Sequence, residues 1–373
     1  MPVHRLWPNI KQAIQERNLT QLGQILEGWT AVELAQFMSN LTLSDQIVVL
    51  RSLSSQRAVE TFQYLLPSTQ EHLLKVLTSD EITVILNTMS PDDRTVLLEE
   101  LPTPDSKHVL DLLAPHERAV AVSLLEYPEN SVGRRMTPDY IALRDDWTVQ
   151  QVLAYIREHG QDSETLNVVY VVDEKGVLID DIRIREFLLA PLTYRVSDLM
   201  DKRFVALQAI DDQETAVAVF RREDRTALPV VNSKAVLVGI VTIDDVLDVA
   251  EEEATEDMQK IGGLEALDEP YMQIAFGRMV KKRAGWLVLL FLGEMLTATA
   301  MGFFEGEIAR AVVLTLFIPL IISSGGNSGS QASTLAIRAL ALGEVGLRDW
   351  WRVLRREMFS GFALGSIPVP LAS

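Results

Sequence analysis

The stretch ALPVVNSKAVLVGIVTIDDVL, from Ala227 to Leu247, decides how the middle of the chain folds. Two runs of β-branched residues are joined by the turn Asn-Ser-Lys, and a helix start follows at Ile243. This order predicts a strand, a turn, a second strand and a helix. The stretch VVYVVDEKGVLIDDIRIREFLL, residues 168–189, repeats the order roughly 60 residues earlier. We therefore predict two copies of one β-α-β-β-α unit, which bury together a sheet face that one copy leaves open.

The second copy resembles a CBS motif, and the two copies together resemble a tandem CBS pair, which has an α/β fold. Such pairs often bind adenine nucleotides through a Thr-x-x-Asp sequence at the helix entry. The second copy has Thr242 and Asp245 at those positions, so the resemblance implies a nucleotide site there. The first copy departs from the pattern, because the alignment places Asp180 at the Gly, Arg183 at the Thr and Glu186 at the Asp. Alternatively, Thr242 serves only as a helix N-cap.

The first 125 residues predict a superhelix of short α-helices. An apolar residue followed by a helix-starting residue recurs every 10 to 13 residues, from Leu43-Ser44 to Leu113-Ala114. Ser68 and Thr78 each have a Glu three residues on, which predicts two capping boxes. Ser90-Pro91-Asp92-Asp93 predicts an N-cap, a first-turn Pro and two acids at a helix start. Two helices per repeat give a period of about 24 residues, near that of helical solenoids.

The charge of the chain is unevenly distributed. The net charge is −18, yet residues 281–373 contain nine basic and six acidic residues, so residues 1–280 carry −21. A segment with this much negative charge repels nucleic acid and suits the binding of cations or basic partners. Solubility is the alternative explanation of the charge. The chain has no cysteine, which excludes disulfides and thiolate metal sites. We see no nucleophile–base set or phosphate-binding loop, and we predict that the protein is not an enzyme.

The acids are densest directly after the second copy. Residues 244–269 contain eleven acids and one base, Lys260. On a helix, Asp245, Asp248, Glu252 and Glu256 share one face, and like charges at this spacing destabilise the helix unless they are neutralised. Hard divalent cations prefer carboxylate oxygens, so the pattern predicts a Mg²⁺-sensing helix, with a solvated charged helix as the alternative. Acids that could face it from the globular part are Glu214, Asp224, Asp92 and Asp93.

Two stretches of the C-terminal third are long enough to span a bilayer. The first, residues 284–304, contains one charge, Glu294, and the second begins at Ala311 and runs without a charge to Ile337. The second stretch has SSGGNSGSQ at its centre, and irregular backbone in a bilayer is tolerated only within protein or along water. This composition suits a hydrated cation path or a tight helix–helix contact. The predicted pore-lining residues are Pro319, Gly325, Gly326, Asn327, Gly329, Gln331 and Glu294.

The order of these parts resembles the MgtE family of magnesium channels, above all in PLIISSGGNSGSQASTLAIRAL followed by RDWWRVLRREM. The resemblance implies a homodimer in the cytoplasmic membrane that passes Mg²⁺ down its gradient. It also implies that the acidic helix closes the pore when cytosolic Mg²⁺ bridges it to the other domains. By motif position, the sensing helix contributes Asp245, Asp248, Glu253, Glu256 and Asp257, the CBS pair contributes Glu214 and Asp224, and the membrane Gly-Gly-Asn contributes Asn327.

The predicted fold is multidomain. It comprises an all-α superhelical domain over 1–130, CBS motifs over 131–194 and 195–250, an acidic connecting helix over 251–275 and an α-helical membrane domain over 281–373. Basic residues before the first span and after the second predict multi-pass insertion with the N-terminal domains in the cytoplasm. Members of the family have five membrane helices. The sequence predicts two full spans, at about 284–304 and 311–340, and a partial third from Met358, so we expect a C-terminally truncated copy. A membrane-tethered sensor of Mg²⁺ or a nucleotide that does not conduct is the alternative.

Overall fold

The structure is a computed structural model, which describes residues 3–261, 274–310, 318–341 and 345–366. The chain divides into two compact units, Met1–Val249 and Ala250–Ser373. The first unit contains a helical domain and two small mixed sheets, and the second unit is helical over its described residues. This class of architecture confirms the predicted order of a helical domain, an α/β pair and a helical C-terminal region.

The helical domain is a superhelix with one continuous apolar core. From the fourth helix onward, a helix begins every 12 residues, because an apolar residue and a helix start recur at that spacing. Most helices pack against the helix two positions along the chain, as α2 does on α4 and α8 on α10, which buries an apolar face of both. The helices are α1 (Val3–Gln15), α2 (Leu19–Leu26), α3 (Ala31–Met38), α4 (Leu43–Ser52), α5 (Ser55–Gln63), α6 (Pro67–Leu74), α7 (Ser79–Thr88), α8 (Pro91–Glu100), α9 (Thr103–Leu112) and α10 (Pro115–Leu125).

Two of the predicted helix starts form as expected and one does not. Thr78 and Glu81 form a capping box, in which the Glu81 N–H donates to the Thr78 hydroxyl at 3.3 Å. Ser90 is the N-cap of α8 and Pro91 its first helical residue. The predicted capping box at Ser68 is wrong, because Pro67 takes the first helical position and α6 begins before Ser68. The carboxylate of Glu71 pairs instead with Lys75 at 2.5 Å.

The two predicted CBS copies have the same sheet topology. In each sheet the first strand is parallel to the second, which is antiparallel to the third. The register shifts at equivalent places, between Val171 and Val172 and between Val230 and Val231, which confirms the internal duplication. The first copy contains β1 (Ala142–Leu143), α11 (Val149–His159), β2 (Val168–Val172), β3 (Leu178–Arg183) and α12 (Ile184–Leu189). The second contains α13 (Val196–Leu199), β4 (Leu207–Gln208), α14 (Gln213–Glu223), β5 (Ala227–Val231), β6 (Leu237–Thr242) and α15 (Ile243–Ile261).

The segments that precede the two copies are exchanged between them. Thr137 forms two backbone hydrogen bonds with Ile240 of β6, each 2.9 Å long, and Val132 and Met136 pack in the core of the second copy. Conversely, the Val196 N–H donates to the Trp147 carbonyl at 2.9 Å, so the start of α13 belongs to the core of the first copy. The linear boundary near residue 195 therefore does not separate two packing units.

The exchanged segment explains why the two copies differ at one position. A Cβ atom on Gly239 would lie 2.9 Å from the Thr137 carbonyl oxygen, so only glycine admits this approach. The equivalent residue of the first copy is Asp180, whose buried carboxylate accepts hydrogen bonds from the backbone N–H groups of Lys202 and Asp181 at 2.9 and 3.0 Å. In the first copy, the Asp180 side chain binds the segment that contains Lys202. In the second copy, the backbone of Ile240 binds the segment that contains Thr137.

The C-terminal region consists of α16 (Phe276–Phe303), α17 (Glu305–Arg310), α18 (Ile318–Ala341) and α19 (Trp350–Gly365). The SSGGNSGSQ stretch is helical within α18, not an unwound turn, and Pro319 belongs to the same helix. Helix α19 begins at Trp350 and contains Met358, from which the partial third span is expected; the span itself stays a prediction. The remainder of the expected connecting helix, residues 262–273, the start of the second span, residues 311–317, and the end of the third, residues 367–373, lie outside the described residues.

Over the described parts of the chain, one helix, Phe276–Phe303, is long and apolar enough to cross a membrane. Its large apolar residues are exposed, for example Leu287 at 57% and Phe291 at 59%. Such a continuous apolar surface is unfavourable in water and suits a bilayer. Helix α18 is 24 residues long but has a polar stretch at its centre, which lowers its apolar character.

Candidate metal centre

Two acids are fixed at the start of α8 by a buried arginine. Arg94 has 1% of its surface exposed, and it donates hydrogen bonds from Nε to the Leu86 carbonyl and from Nη2 to the Met89 carbonyl, each 2.7 Å long. Its Nη1 also pairs with a carboxylate oxygen of Glu117 in α10 at 2.5 Å. These contacts connect the end of α7, the start of α8 and α10, so the first turn of α8 has a fixed position.

The first turn of α8 presents Asp92 and Asp93 in different environments. The carboxylate of Asp93 accepts hydrogen bonds from the Ser90 hydroxyl, at 2.8 Å, and from the Gln63 amide. Asp92 is 4% exposed, and within the described chain its buried Oδ1 has no hydrogen-bond partner. Burial and the neighbouring charge of Asp93 raise the pKa of Asp92 to about 6. A buried carboxylate oxygen without a donor is costly unless a cation compensates its charge.

A third acid, Asp245, lies at the start of α15 within the same compact unit. The buried Thr242 hydroxyl donates to Asp245 Oδ2 at 2.5 Å, so the side chain is held at the helix entry. Burial, followed by the charge of Asp92, raises the pKa of Asp245 to about 8, although the Thr242 hydrogen bond acts in the opposite direction. The predicted acids Asp92, Asp93 and Asp245 are therefore close enough to interact electrostatically.

The first CBS copy adds two acids that the sequence did not reveal. Asp139 follows the segment that pairs with β6, and the Glu164 N–H donates to the Asp139 carbonyl oxygen at 2.8 Å. Burial, and then the charges of Asp92 and Asp244, raise the pKa of Glu164 to about 7. Burial and the charge of Glu117 raise the pKa of Asp139. Neither acid belongs to a motif, so only the tertiary structure could reveal them.

We call Asp92, Asp93, Asp139, Glu164, Asp244 and Asp245 the acidic cluster. Burial is the first cause of the raised pKa values of Asp92, Asp139, Glu164 and Asp245, and the charges of neighbouring acids add to it. In the described part of the chain, no three Asp, Glu or His side chains are arranged to hold a metal ion directly. Mg²⁺ fits such an open arrangement, because it commonly binds one or two carboxylates and keeps several waters.

The other predicted sensing acids have separate positions. Glu214 lies in the first turn of α14 and Asp224 at its C-cap, so the 11-residue helix separates them by about 15 Å. The structure does not bring these two together. Asp248, Glu253, Glu256 and Asp257 lie along α15, which is a continuous helix as predicted, although the side chain of Asp257 is outside the described residues. For the four acids on α15 a shared role in metal binding stays a prediction.

One of the two predicted nucleotide residues, Asp245, also belongs to the acidic cluster. The Thr242 hydroxyl donates to the Asp245 carboxylate, and the charge of Asp92 acts on Asp245, so the N-cap role of Thr242 stays a prediction. In the first copy, Arg183 and Glu186 are exposed at the start of α12. The Thr-x-x-Asp sequence thus has a structural and electrostatic use without a nucleotide.

The predicted pore residues lie on α18, with Glu294 on α16. At 100° per residue, Gly325, Gly326 and Gly329 fall on one face of α18, whereas Asn327 and Gln331 fall on nearly the opposite face. No heavy atom lies within 4 Å of a Cβ position on these glycines, so among the described residues nothing packs closely on the glycine face. Pro319, Asn327, Gln331 and Glu294 are exposed. Helix α18 therefore has a glycine face without side chains, which suits close helix packing, and an opposite face with amide side chains, which suits contact with water.

The cluster makes the stability of the metal-free chain dependent on pH. The folded-state pKa values of Asp92, Glu164 and Asp245 lie above their ordinary values, so protonation stabilises the fold. This stability is complete below the ordinary pKa values and is lost as the pH rises through about 6 to 8. We expect the melting temperature of the first unit in a chelator to fall by several degrees across this range. Saturating Mg²⁺ should flatten the profile, and a metal-free profile that rises with pH would contradict the assignment.

Comparisons with known proteins agree with this architecture. Residues 29–130 match the MgtE intracellular N domain, residues 131–192 and 196–252 match CBS domains, and residues 318–373 match the MgtE divalent cation transporter family. The magnesium transporters MgtE of Thermus thermophilus and Bacillus subtilis are 40% and 31% identical to the chain over 243 and 246 residues, in each case 65% of this chain. Both matches cover 54% of the relative, so the chain spans about half the length of the curated relatives it matches.

Two solved structures have the same fold as the first unit. The cytosolic domain of the Mg²⁺ channel MgtE in complex with ATP is 35% identical, with a TM-score of 0.62 over 64% of this chain and 98% of that one. The soluble part of a magnesium transporter is 23% identical, with a TM-score of 0.62 over 68% of this chain and 99% of that one. The fold and these matches define a multidomain membrane protein that joins a helical domain and a CBS pair to transporter-type helices. The chain belongs to the MgtE family.

Proposed function

We propose that this protein conducts Mg²⁺ across the cytoplasmic membrane and that cytosolic Mg²⁺ regulates it through the acidic cluster. The observation that carries the sensing step is the buried carboxylate of Asp92, whose Oδ1 has no partner among the described residues. It lies among the other acids of the cluster, where a divalent cation would relieve both the unsatisfied oxygen and the repulsion. Binding would favour the arrangement in which these acids stay together, and loss of Mg²⁺ would let them separate.

The sensing acids are proposed to include more than the cluster. Asp245 lies at the start of α15, and Asp248, Glu253, Glu256 and Asp257 follow on the same continuous helix. Repulsion between like charges at helical spacing destabilises this helix, and a bound divalent cation opposes that effect. Neutralisation at one end of α15 thus stabilises the helix that leads toward the second unit. Glu214 and Asp224 stay predictions.

The membrane step is proposed to use the polar face of α18. Asn327 and Gln331 offer amide oxygens on that face, which suits a partly hydrated cation, and the glycine face suits a close helix contact. The exposed apolar surface of α16 supports insertion into a bilayer. Lys281, Lys282 and Arg283 near the start of α16 support a cytoplasmic position of the N-terminal domains.

Transport is tested with the chain reconstituted in liposomes that contain a Mg²⁺ indicator. We expect Mg²⁺ to enter down its gradient, and Asn327→Leu to reduce the initial rate about tenfold because the polar path loses an oxygen ligand. Thr299→Leu on α16 is the control, because the Thr299 hydroxyl already donates to the Met295 carbonyl within its own helix. Liposomes that take up no Mg²⁺ with the chain present would contradict conduction by this chain.

A second copy of the chain is the proposed partner. Leu188 and Leu189 at the end of α12, with Leu192 and Tyr194 after it, are large apolar side chains with about half or more of their surface exposed. Four such residues within seven positions form an apolar patch that suits a subunit interface. A chain that stays monomeric in detergent at micromolar concentration would contradict this proposal.

We propose that an adenine nucleotide binds at the second CBS copy and not at the first. The solved cytosolic domain of the related channel is in complex with ATP. Here only the second copy has a Thr and an Asp at the helix entry, whereas the first has Arg183 and Glu186. Titration calorimetry with ATP should show binding that Thr242→Val weakens, and unchanged binding by this variant would place the nucleotide elsewhere.

A further inference from the structure

Helix α19 has an exposed apolar face. At 100° per residue, five large apolar side chains of this helix fall within an arc of about 120°. Each of them has 43% to 79% of its surface exposed, and they are Trp350, Trp351, Leu354, Met358 and Phe362. Helix α19 contacts α18, and Val353, Glu357 and Ser360 on one flank are partly covered. The five residues, which we call the apolar face, thus stay exposed although α19 has a neighbouring helix in the described chain.

The other side of α19 carries three arginines. Arg352, Arg355 and Arg356 fall within an arc of about 100°, whose centre lies about 130° from that of the apolar face. Arg352 pairs with Asp349 at 2.8 Å, yet 81% of its side chain is exposed. The Arg355 guanidinium lies 5.7 Å from the centre of the Phe359 ring, a cation–π contact that holds it beside the helix. We call the three arginines the arginine face.

A short connection fixes where α19 begins. Eight residues separate the end of α18 from Trp350. The Val345 N–H donates to the Ala339 carbonyl oxygen at 3.3 Å, so the connection returns to the last turn of α18. Arg338 lies in that turn, and a basic residue at this end of the helix favours the cytoplasmic side. With α18 in the membrane as proposed, the two tryptophans lie near the boundary between membrane and cytoplasm, the level at which tryptophan is enriched.

The two faces together match a bilayer that contains acidic lipids. A helix with Trp, Leu and Phe on one side and Arg on the other binds in the plane of the membrane boundary, with its apolar side against the acyl chains. Arginine binds a phosphate group through two parallel hydrogen bonds, and each basic residue near the surface adds attraction to anionic lipid. A second protein could cover the apolar face, whereas a layer of negative headgroups above acyl chains accounts for both faces at once.

We propose that α19 lies at the cytoplasmic boundary of the membrane and that its arginine face binds the phosphate of acidic phospholipids. Phosphatidylglycerol is such a lipid, whereas phosphatidylcholine has the same phosphate but no net charge. The apolar face contacts the acyl chains of the same leaflet. This inference rests on the proposed insertion of the second unit into a bilayer, but not on Mg²⁺ conduction or sensing.

The test measures how bromine-labelled lipids quench tryptophan fluorescence in the full chain, reconstituted in liposomes of phosphatidylcholine and phosphatidylglycerol. The variant Trp286→Phe leaves Trp350 and Trp351 as the tryptophans of the second unit, and the variant that lacks all three gives the background to subtract. Displacement of labelled phosphatidylcholine by unlabelled phosphatidylglycerol gives the relative affinity of the two lipids at α19. We expect a roughly fivefold preference for phosphatidylglycerol, which weakens as the salt concentration is raised.

Substitutions of the arginine face separate headgroup binding from contact with acyl chains. Arg352→Gln, Arg355→Gln and Arg356→Gln together should reduce the preference to about one, because the charge is lost while the apolar face still contacts lipid. Lys at the same three positions keeps the charge and should retain most of the preference. Arg310→Gln is the matched control, since Arg310 on α17 is 79% exposed and also pairs with an acid three residues before it. This variant should keep the native preference.

The inference is overturned if the native chain shows no preference for phosphatidylglycerol, or if Arg310→Gln lowers the preference as much as the triple Gln variant does. It is also overturned if neither lipid quenches Trp350 and Trp351, which would show that protein, such as a second copy, covers the apolar face. Quenching of Trp286, measured in the variant with Phe at both α19 tryptophans, reports the insertion of α16 separately. A quenched Trp286 without a lipid preference at α19 overturns this inference alone, whereas an unquenched Trp286 contradicts the proposed insertion as well.

Discussion

Asp92→Asn is expected to raise the melting temperature of the metal-free chain and to weaken its stabilisation by Mg²⁺ about tenfold, equivalent to ~1.4 kcal/mol of binding free energy. The two effects have one cause. The native carboxylate is buried beside other acids, so removing its charge relieves repulsion when no metal is bound and removes a ligand when Mg²⁺ is present. The measurement is thermal unfolding of the first unit in a chelator and over a Mg²⁺ titration.

The superhelix supplies a matched control for this variant. Asp80 occupies the same position in α7 that Asp92 occupies in α8, two residues after the N-cap, but it is exposed. Asp80→Asn removes the same favourable charge at a helix start, which is worth about 0.3–1 kcal/mol, without relieving a buried charge. It should lower the metal-free melting temperature slightly and leave the Mg²⁺ response unchanged. If Asp92→Asn behaves like Asp80→Asn, Asp92 does not bind the ion.

Arg94→Met is expected to destabilise the helical domain by about 3–5 kcal/mol. The substitution leaves Glu117 without its buried partner and removes the donors to the Leu86 and Met89 carbonyls. Hydrogen exchange of the α8 amides in the metal-free chain measures this loss as a local free energy.

Arg118→Met is the control for the arginine substitution. Arg118 pairs with Asp111 at 3.0 Å, but the side chains are 52% and 65% exposed, so the pair contributes at most about 1 kcal/mol. Equal loss of protection in the two variants would show that the contacts of Arg94 have no special role in holding α8. A large loss confined to Arg94→Met would support the view that this residue positions Asp92 and Asp93.

The duplication and the superhelix could be predicted because each one repeats a pattern of apolar residues and turns along the sequence. A strand, turn, strand and helix start occur twice, and an apolar residue before a helix start recurs every 12 residues or so. The sequence also indicated Asp92, Asp93 and Asp245, because acids at helix starts have a recognisable local pattern. The exchange of Thr137 and Val196 between the copies rests on single backbone pairings, which leave no periodic signal.

The remaining features depend on tertiary structure or on the surrounding solvent. Asp139 and Glu164 lie in loops, and only folding brings Glu164 near Asp92 and Asp244, which are about 70 to 80 positions away. The SSGGNSGSQ stretch has the composition of a loop, yet it is helical, since glycine in a helix costs only about 1 kcal/mol relative to alanine. Inside a bilayer an unpaired backbone group costs several kcal/mol, which outweighs the preference of Gly, Ser and Asn for loops.

The exchange of segments between the CBS copies has a consequence for synthesis on the ribosome. The helical domain ends at α10 and can complete its core before any later residue exists. Thr137 emerges next, but its partner Ile240 is translated about 100 residues later, which takes roughly 5 to 20 s at 5–20 residues per second. During that delay, Val132 and Met136 lack the apolar partners from Leu207 onward that help to cover them in the finished protein. The nascent chain therefore passes through an interval in which a helper protein that shields apolar segments would prevent mispairing.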